Sequence, residues 1–320
     1  MLPLSALLNP VSQSLSVVIP VYNGAATLPA LIDRLAPVIR AAAVPYEIIL
    51  VNDGSRDDSW GTIESLTRRY PEIRGIDLMR NYGQHNALLC GIRASRHAVI
   101  VTMDDDLQQP PEEIPRLLEK LGDGYDVVYG RPEREQHGMW RNLGSRIAKA
   151  ALATATGGEV APMVSAFRAF RSTVKPAFEE YRSPLFSIDV LLTWATTSFA
   201  AIPVRTERRR VGGSNYRFRS LARHAMNLMT GFSLIPLQLA TLVGFAFTLF
   251  GLGVLAYVLG RFLLSGTTVA GFPFLASIIA IFSGAQLFAL GILGEYLGRM
   301  HMRTMDRPAY IVRTATPSNS

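Results

Sequence analysis

Three consecutive carboxylates, Asp104-Asp105-Asp106, with Gln108 two residues further on, are the residues of this chain whose types and spacing point most directly to chemistry. Adjacent carboxylates repel one another and raise each other's pKa unless a cation sits between them. Mg2+ or Mn2+ suits such a set, because a hard divalent cation takes oxygen ligands and leaves positions open for phosphate. Along an extended chain Asp104 and Asp106 point to the same side, and Gln108 adds a neutral oxygen. The expected metal ligands are Asp104, Asp106 and Gln108. A lone acidic turn is more often solvated surface than a metal site, and what shifts the balance here is position. Val99-Ile100-Val101-Thr102-Met103 reads as a buried strand running straight into the acids. Open α/β sheets bind ligands at the carboxyl ends of their strands. Pro110 and Pro111 then suit the first turn of a helix.

The elements that must position these carboxylates alternate along the chain. Strands are expected over residues 15–21, 46–51, 73–78, 126–130 and 201–204, with a short strand or turn at 167–170. Helices are expected over 28–42, 57–70, 87–95, 140–156 and 186–198. This alternation predicts a mostly parallel sheet with helices on both faces. Other strands end in polar turns of their own, Tyr22-Asn23, Asn52-Asp53 and Asn81-Tyr82, so four such turns would line one edge as a cleft. In that setting Asp53 can accept hydrogen bonds from a nucleobase or ribose, although Asp-Gly also favours a simple Asx-turn. Tyr22 can stack on a base. Arg131, just past a strand, and Arg141 are placed to stabilise a departing diphosphate or grip a phosphate acceptor.

Composition sets the cellular context. Of the 320 residues 49% are hydrophobic, mean hydropathy is +0.21 and the net charge is +7. That charge is carried by Arg; the lysines are Lys120, Lys149 and Lys175. No charged residue occurs over 225–260, and after Arg261 none over 262–294. A membrane-spanning helix needs about 20 apolar residues, so spans are expected near 236–259 and 272–293. Arg217, Arg219 and Arg223 precede them and Arg299, Arg303 and Arg307 follow, which puts both flanks on the cytoplasmic side and the short loop outside. Two buried core helices are the competing reading. Residues 221–234 suit an interfacial helix, Glu295 and Arg299 a helical i,i+4 pair, and the polar tail 314–320 a loose end.

Several classes lack an anchor. There is no GxxxxGK[ST] and no GxGxxG element. The five histidines show no metal-ligand spacing, and Cys90 is the single cysteine, so neither a disulfide framework nor a Cys-based zinc site is available. No aromatic–basic stripe supports nucleic-acid binding. The first 14 residues lack the positive and apolar regions of a signal peptide.

In series, the blocks VVIPVYN (17–23), VNDGSRDDS (51–59), RNYGQHNALLCGI (80–92) and DDDLQQPPEEIPRLL (104–118) resemble the family-two glycosyltransferases of GT-A fold, in their polyprenyl-phosphate branch. RVGGSNY (210–216) and LGEYLGRMHMRTMDRPAYIV (293–312) are similar to later segments of that branch. The resemblance implies a GT-A, Rossmann-like domain over 15–215 after a short N-terminal extension (1–14), an interfacial segment at 216–235, two transmembrane helices within 236–294 and a cytoplasmic tail at 295–320. It implies transfer of one sugar from a nucleotide sugar, a UDP-sugar, to polyprenyl phosphate at the cytoplasmic face of a bacterial inner membrane, with inversion. It assigns the nucleoside pocket to Pro20, Tyr22, Asn23 and Asp53, with Asp104 and Asp105 also facing the nucleotide. Asp106, Arg131 and Arg141 take the catalytic side, and Arg209, Arg210 and Ser214 the lipid phosphate. It also implies a homotetramer. The chain departs from the family's usual pattern at Gly24, where a Glu is common, at Asp105, where the middle residue is usually Ala, and at PMVSAFRAFRS (162–172). A processive polysaccharide synthase of the same fold would carry a Gln-x-x-Arg-Trp element and more spans. A non-catalytic nucleotide-sugar-binding anchor would not need the acidic set.

Overall fold

The computed structural model describes residues 14–42, 45–133, 158–179, 181, 187–207, 235–265, 271–305 and 307–317. In chain order the elements are β1 (Leu15–Val21), α1 (Leu28–Ala42), β2 (Tyr46–Asn52), α2 (Ser59–Arg69), β3 (Ile73–Leu78), α3 (Gln84–Ala94), β4 (Val99–Thr102), α4 (Ile114–Gly122), β5 (Val127–Pro132), β6 (Arg168–Arg171), α5 (Pro176–Glu179), α6 (Ile188–Ala195), β7 (Phe199–Val204), α7 (Ile235–Ser265), α8 (Phe272–Thr304) and β8 (Val312–Ala315). The strands form one sheet in the order β7-β5-β6-β4-β1-β2-β3-β8. The central four, β4-β1-β2-β3, are parallel. β6 is antiparallel to both β4 and β5, so β4 and β5 run the same way and their carboxyl ends share an edge.

Helices cover both faces, and this is why the central strands read as unbroken apolar runs rather than alternating ones. Leu15, Val17, Ile19 and Val21 of β1 pack with Leu31, Leu35 and Ile39 of α1, Ile63 of α2 and Leu117 of α4. Val18, on the opposite face, packs with Leu88, Leu89 and Ile92 of α3 and Ile188 and Leu191 of α6. The predicted mostly parallel α/β sheet is therefore present, with β1 at its centre.

Three expectations change. The expected helix at 87–95 begins earlier, at Gln84, because Gly83 turns the chain at a φ of +95° and polar residues fill the first turn. The apolar helices run further than expected, over Ile235–Ser265 and Phe272–Thr304. Residues 314–316 of the tail expected to be loose are held: Val312–Ala315 forms β8, antiparallel to β3, with Ile76 opposite Ala315 and Asp77 opposite Thr314. Arg313 adds an ion pair to Asp77 at 3.3 Å, and Thr316 bonds the backbone of Gly75. Every residue of β8 is exposed, so backbone pairing on an open sheet edge holds it, not burial.

Both C-terminal helices are long and apolar enough to cross a membrane, and among their described residues only Ala240 is buried. That removes the reading of two core helices. They pack on each other through Phe282, which lies against Phe247 and Phe250 and over Gly251. Glu295 and Arg299 form the expected i,i+4 pair at 2.7 Å. The expected helix at 140–156 and the interfacial segment 221–234 lie outside the described residues.

Candidate active site

The cleft opens where β1 and β4 part. Their ladder ends at Val18 opposite Thr102, with Met103 N–H donating to the Val18 carbonyl, while β1 pairs with β2 as far as Val21 opposite Asn52. Successive residues of a strand face alternate neighbours, so Pro20 lies on Val18's side, beyond the last β4 residue. Its missing N–H is harmless there, which is how a proline sits in a central strand. The next residue on that side, Tyr22, donates its N–H to Asp105 Oδ2 at 3.3 Å. A side-chain carboxylate thus continues the ladder where β4 has turned away. Gly24 makes this possible, since a Cβ there would lie 2.4 Å from Asp105 Oδ2. Two of the three departures from the family's usual pattern thus lie side by side, and a side chain at position 24 would have to displace Asp105.

The extended-chain alternation that pairs Asp104 with Asp106 does not continue past Thr102. The chain turns instead, and Leu107 takes a φ of +60° with its side chain buried. Asp104 accepts from Gln84 Nε2 at 2.6 Å and from Gln109 Nε2 at 3.2 Å, and its own N–H donates to Gln109 Oε1. Asp106 accepts from the Gln108 N–H at 3.1 Å. Burial, joined by the neighbouring charges of Asp104 and Asp106, pushes Asp105 up to about 7. Among the described residues no three His, Cys, Asp or Glu side chains form a metal cage. Two carboxylates and a Gln in one turn could hold a cation that arrives with substrate phosphates, as Mg2+ does.

The turns after β1, β2 and β3 are sewn together. Asn23, at a φ of +56°, donates its N–H to Ser55 Oγ and accepts from the Arg56 N–H, while Gly24 N–H donates to Ser59 Oγ. Tyr22 is left with 41% of its surface exposed, as a base-stacking ring requires. Asp53 is 2% exposed and accepts from the Tyr82 and Gly83 N–H groups at 2.7 and 2.9 Å, one to each oxygen. Burial raises its pKa although both donors oppose the rise. Asp53 therefore ties the β2 turn to the β3 turn, and a second lone pair remains on each oxygen. Gly54 has a φ of +61°, and a Cβ there would lie 2.4 Å from the Arg80 carbonyl carbon, so no other residue fits that junction.

Arg131 is exposed at the end of β5, on the same sheet edge as Asp104 and two strand spacings away, about 10 Å. Arg141, Arg209, Arg210 and Ser214 lie outside the described residues.

Behind the turn lies a buried network that the sequence did not reveal. Arg168, 2% exposed, donates Nε to Thr102 Oγ1 at 3.1 Å and pairs with Asp189 of α6. Tyr129 OH donates to the same Asp189 oxygen at 3.0 Å, and burial raises the Tyr129 pKa well above its ordinary value. The Ile188 N–H donates to His85 Nδ1 at 3.4 Å, beside the Gln84 that holds Asp104. The end of β4 is thereby braced from β6, α3 and α6.

A mostly parallel α/β sheet with an acidic turn at its carboxyl edge, flanked by mixed outer strands, is the architecture of the GT-A fold. Residues 16–175 match the family described as Glycosyl transferase family 2, and the chain belongs to that family. Undecaprenyl-phosphate 4-deoxy-4-formamido-L-arabinose transferase of Pseudomonas paraeruginosa (strain DSM 24068 / PA7) is 36% identical over 300 residues, covering 93% of this chain and 88% of the relative. The protein of that name from Pectobacterium carotovorum subsp. carotovorum (strain PC1) is 35% identical over 312 residues, with 95% of each chain covered. Among solved structures, glucosyl-3-phosphoglycerate synthase from Mycobacterium tuberculosis in complex with phosphoglyceric acid superposes with a TM-score of 0.52 at 18% identity, covering 69% of this chain and 81% of the other. A second structure of that enzyme, with Mn2+ and UDP-glucose, gives a TM-score of 0.50 at 18% identity, over 69% and 78% of the two chains. These likenesses show the fold.

Proposed function

We propose that this glycosyltransferase moves a single sugar from a nucleotide sugar, a UDP-sugar, to undecaprenyl or a similar polyprenyl phosphate at a membrane surface. The observation that carries the reading is the union in one chain of a carboxylate turn at the sheet's ligand edge and a pair of uncovered apolar helices. The names of relatives matched over nearly the whole chain support the lipid acceptor. In this reading Pro20, Tyr22, Asn23 and Asp53 shape the nucleoside pocket, and Asp104 and Asp105 border it. Asp104, Asp106 and Gln108 would hold Mg2+ or Mn2+, which neutralises the diphosphate leaving group. Arg131 and Arg141 attend the phosphates, and Arg209, Arg210 and Ser214 the acceptor. The catalytic unit comprises residues 15–215 completed by β8, and the protein acts as a homotetramer.

The chemistry asks little of a base. A phosphate monoester arrives largely ionised near neutral pH. One of its oxygens attacks the anomeric carbon as the bond to the diphosphate breaks, the nucleoside diphosphate leaves with the electron pair, and in-line attack inverts the centre. The protein's task is to hold two anions together and to stabilise the departing charge. The deciding assay incubates purified enzyme with undecaprenyl phosphate and a panel of labelled UDP-sugars. One donor should yield a lipid carrying one sugar. A labelled polymer, or no labelled lipid from any donor, would overturn the reading.

Orientation follows from the same elements. β8 lies beyond α8 yet pairs with β3, which precedes α7, and this supports a reading in which the two helices begin and end on one side of the membrane. The arginine-rich flanks support assigning that side to the cytoplasm of a bacterial inner membrane. A cysteine replacing Thr268 should react with an impermeant thiol reagent added outside the cell, and one replacing Ser318 should not. The natural Cys90 gives little background, because burial pushes its thiol up to about 12. The reverse labelling pattern would refute this orientation.

A further inference from the structure

We infer that Arg34, on the outer face of α1, is a positioning residue that fixes the acceptor side of the protein against the donor turn; the inference rests on the transfer reaction proposed above. One guanidinium holds two carboxylates. Arg34 donates Nε and Nη2 to the two oxygens of Glu112 at 3.0 and 2.8 Å, and Nη2 and Nη1 to the two oxygens of Glu207 at 2.8 and 3.3 Å. Glu112 lies just beyond the acidic turn, at the start of the helical run into α4. Glu207 lies three residues past the end of β7, where the chain sets out toward the apolar helices.

Two further contacts join the same two stretches. The Glu207 N–H donates to the Gln108 carbonyl at 2.9 Å. Arg205 Nε lies 3.4 Å from Oε1 of the buried Glu113, which Arg116 also pairs. Residues 205–207 are thus fastened at three points, and each fastening reaches 108–113 or the α1 residue bound to it. Gln108, a proposed metal ligand, is itself one of the anchors. A planar fork suits this task, because it grips two carboxylates at once where an ammonium would act as a point charge. The fastening has a geometric consequence. Arg209 and Arg210 follow Glu207 by two and three residues, a span of at most roughly 7–11 Å. Holding Glu207 on Gln108 therefore fixes the point at which the chain leaves the acidic turn.

The test compares Arg34→Met, which keeps much of the stem, with Arg34→Lys, which keeps the charge, and Glu207→Gln. The inference expects Arg34→Met to raise the KM for polyprenyl phosphate about tenfold or more while nucleotide-sugar KM stays within about twofold. Arg34→Lys should recover part of the loss, and Glu207→Gln should fall between the two. A second readout does not depend on turnover. In Arg34→Met the backbone amides of 205–207 should exchange hydrogen at least about tenfold faster than in the parent, with β1–β3 unchanged. Equal rises in both KM values would make Arg34 a merely structural residue and overturn the inference, as would unchanged acceptor KM or unchanged exchange at 205–207. Failure of the parent enzyme to glycosylate polyprenyl phosphate would sink the proposed function instead, and the exchange measurement would still judge the fastening.

Discussion

Replacing Asp106 by Asn should abolish transfer while leaving the fold and membrane insertion intact. The side chain keeps its size, and Oδ1 can still accept the Gln108 N–H that Asp106 now accepts. What is lost is one negative charge of the proposed metal-binding set. We expect turnover to fall at least about a thousandfold, equivalent to about 4 kcal/mol of transition-state stabilisation. The thermal midpoint should stay near that of the parent, since a contact-preserving exchange costs within about 0.5 kcal/mol. Excess EDTA should silence the parent in the same assay, and Mg2+ or Mn2+ should restore it. Asp104→Asn provides the contrast. Its new amide nitrogen would meet the amide donor of Gln84 or Gln109, so the turn should loosen as well as lose charge. Parent-like turnover by the Asp106 variant, or activity undiminished in EDTA, would remove the metal from the mechanism.

The largest effect on stability should come from Arg168→Met. It removes the guanidinium from Asp189 and Thr102 and leaves a buried carboxylate with Tyr129 as a remaining donor. Breaking a buried ion pair from one side costs about 3–5 kcal/mol. For a domain of this size that is a fall of roughly 6–20 °C in the thermal midpoint. The double variant Arg168→Met/Asp189→Leu should regain most of the loss, because it removes the stranded charge along with its partner. Differential scanning fluorimetry in detergent reads both. A midpoint for Arg168→Met within about 2 °C of the parent would show that the pair carries little stability.

The parts of the fold legible in the sequence were those whose signal is local. β1 and β3 have the boundaries expected of them because a strand buried on both faces is a continuous apolar run stopped by a polar turn. The acidic turn stood out because it follows such a run. Arg168 gave no comparable signal. In the segment FRAFR it reads as one of many arginines, and only the antiparallel return of β6 beside β4 puts it under Thr102. Arg34 was hidden in the same way, since its carboxylates are 78 and 173 residues distant in sequence. The interlock of Gly24 with Asp105 appeared as two separate oddities until the parting of β1 and β4 brought them together. β8 was illegible for a different reason. A strand exposed along its whole length has no apolar pattern to show.

That late strand also sets a timetable for biosynthesis. Leu78 and Val312 are partners in the sheet, yet 234 residues of synthesis separate them (312 − 78). At about 5–20 residues per second this is roughly 10–50 s, during which both apolar helices are made. For all that time the outer edge of β3 is an unpaired template. The nascent enzyme is therefore most vulnerable to edge-to-edge aggregation after its cleft has formed and before its last strand arrives. Completion of the sheet therefore waits on the synthesis of both apolar helices, which precede β8 in the chain.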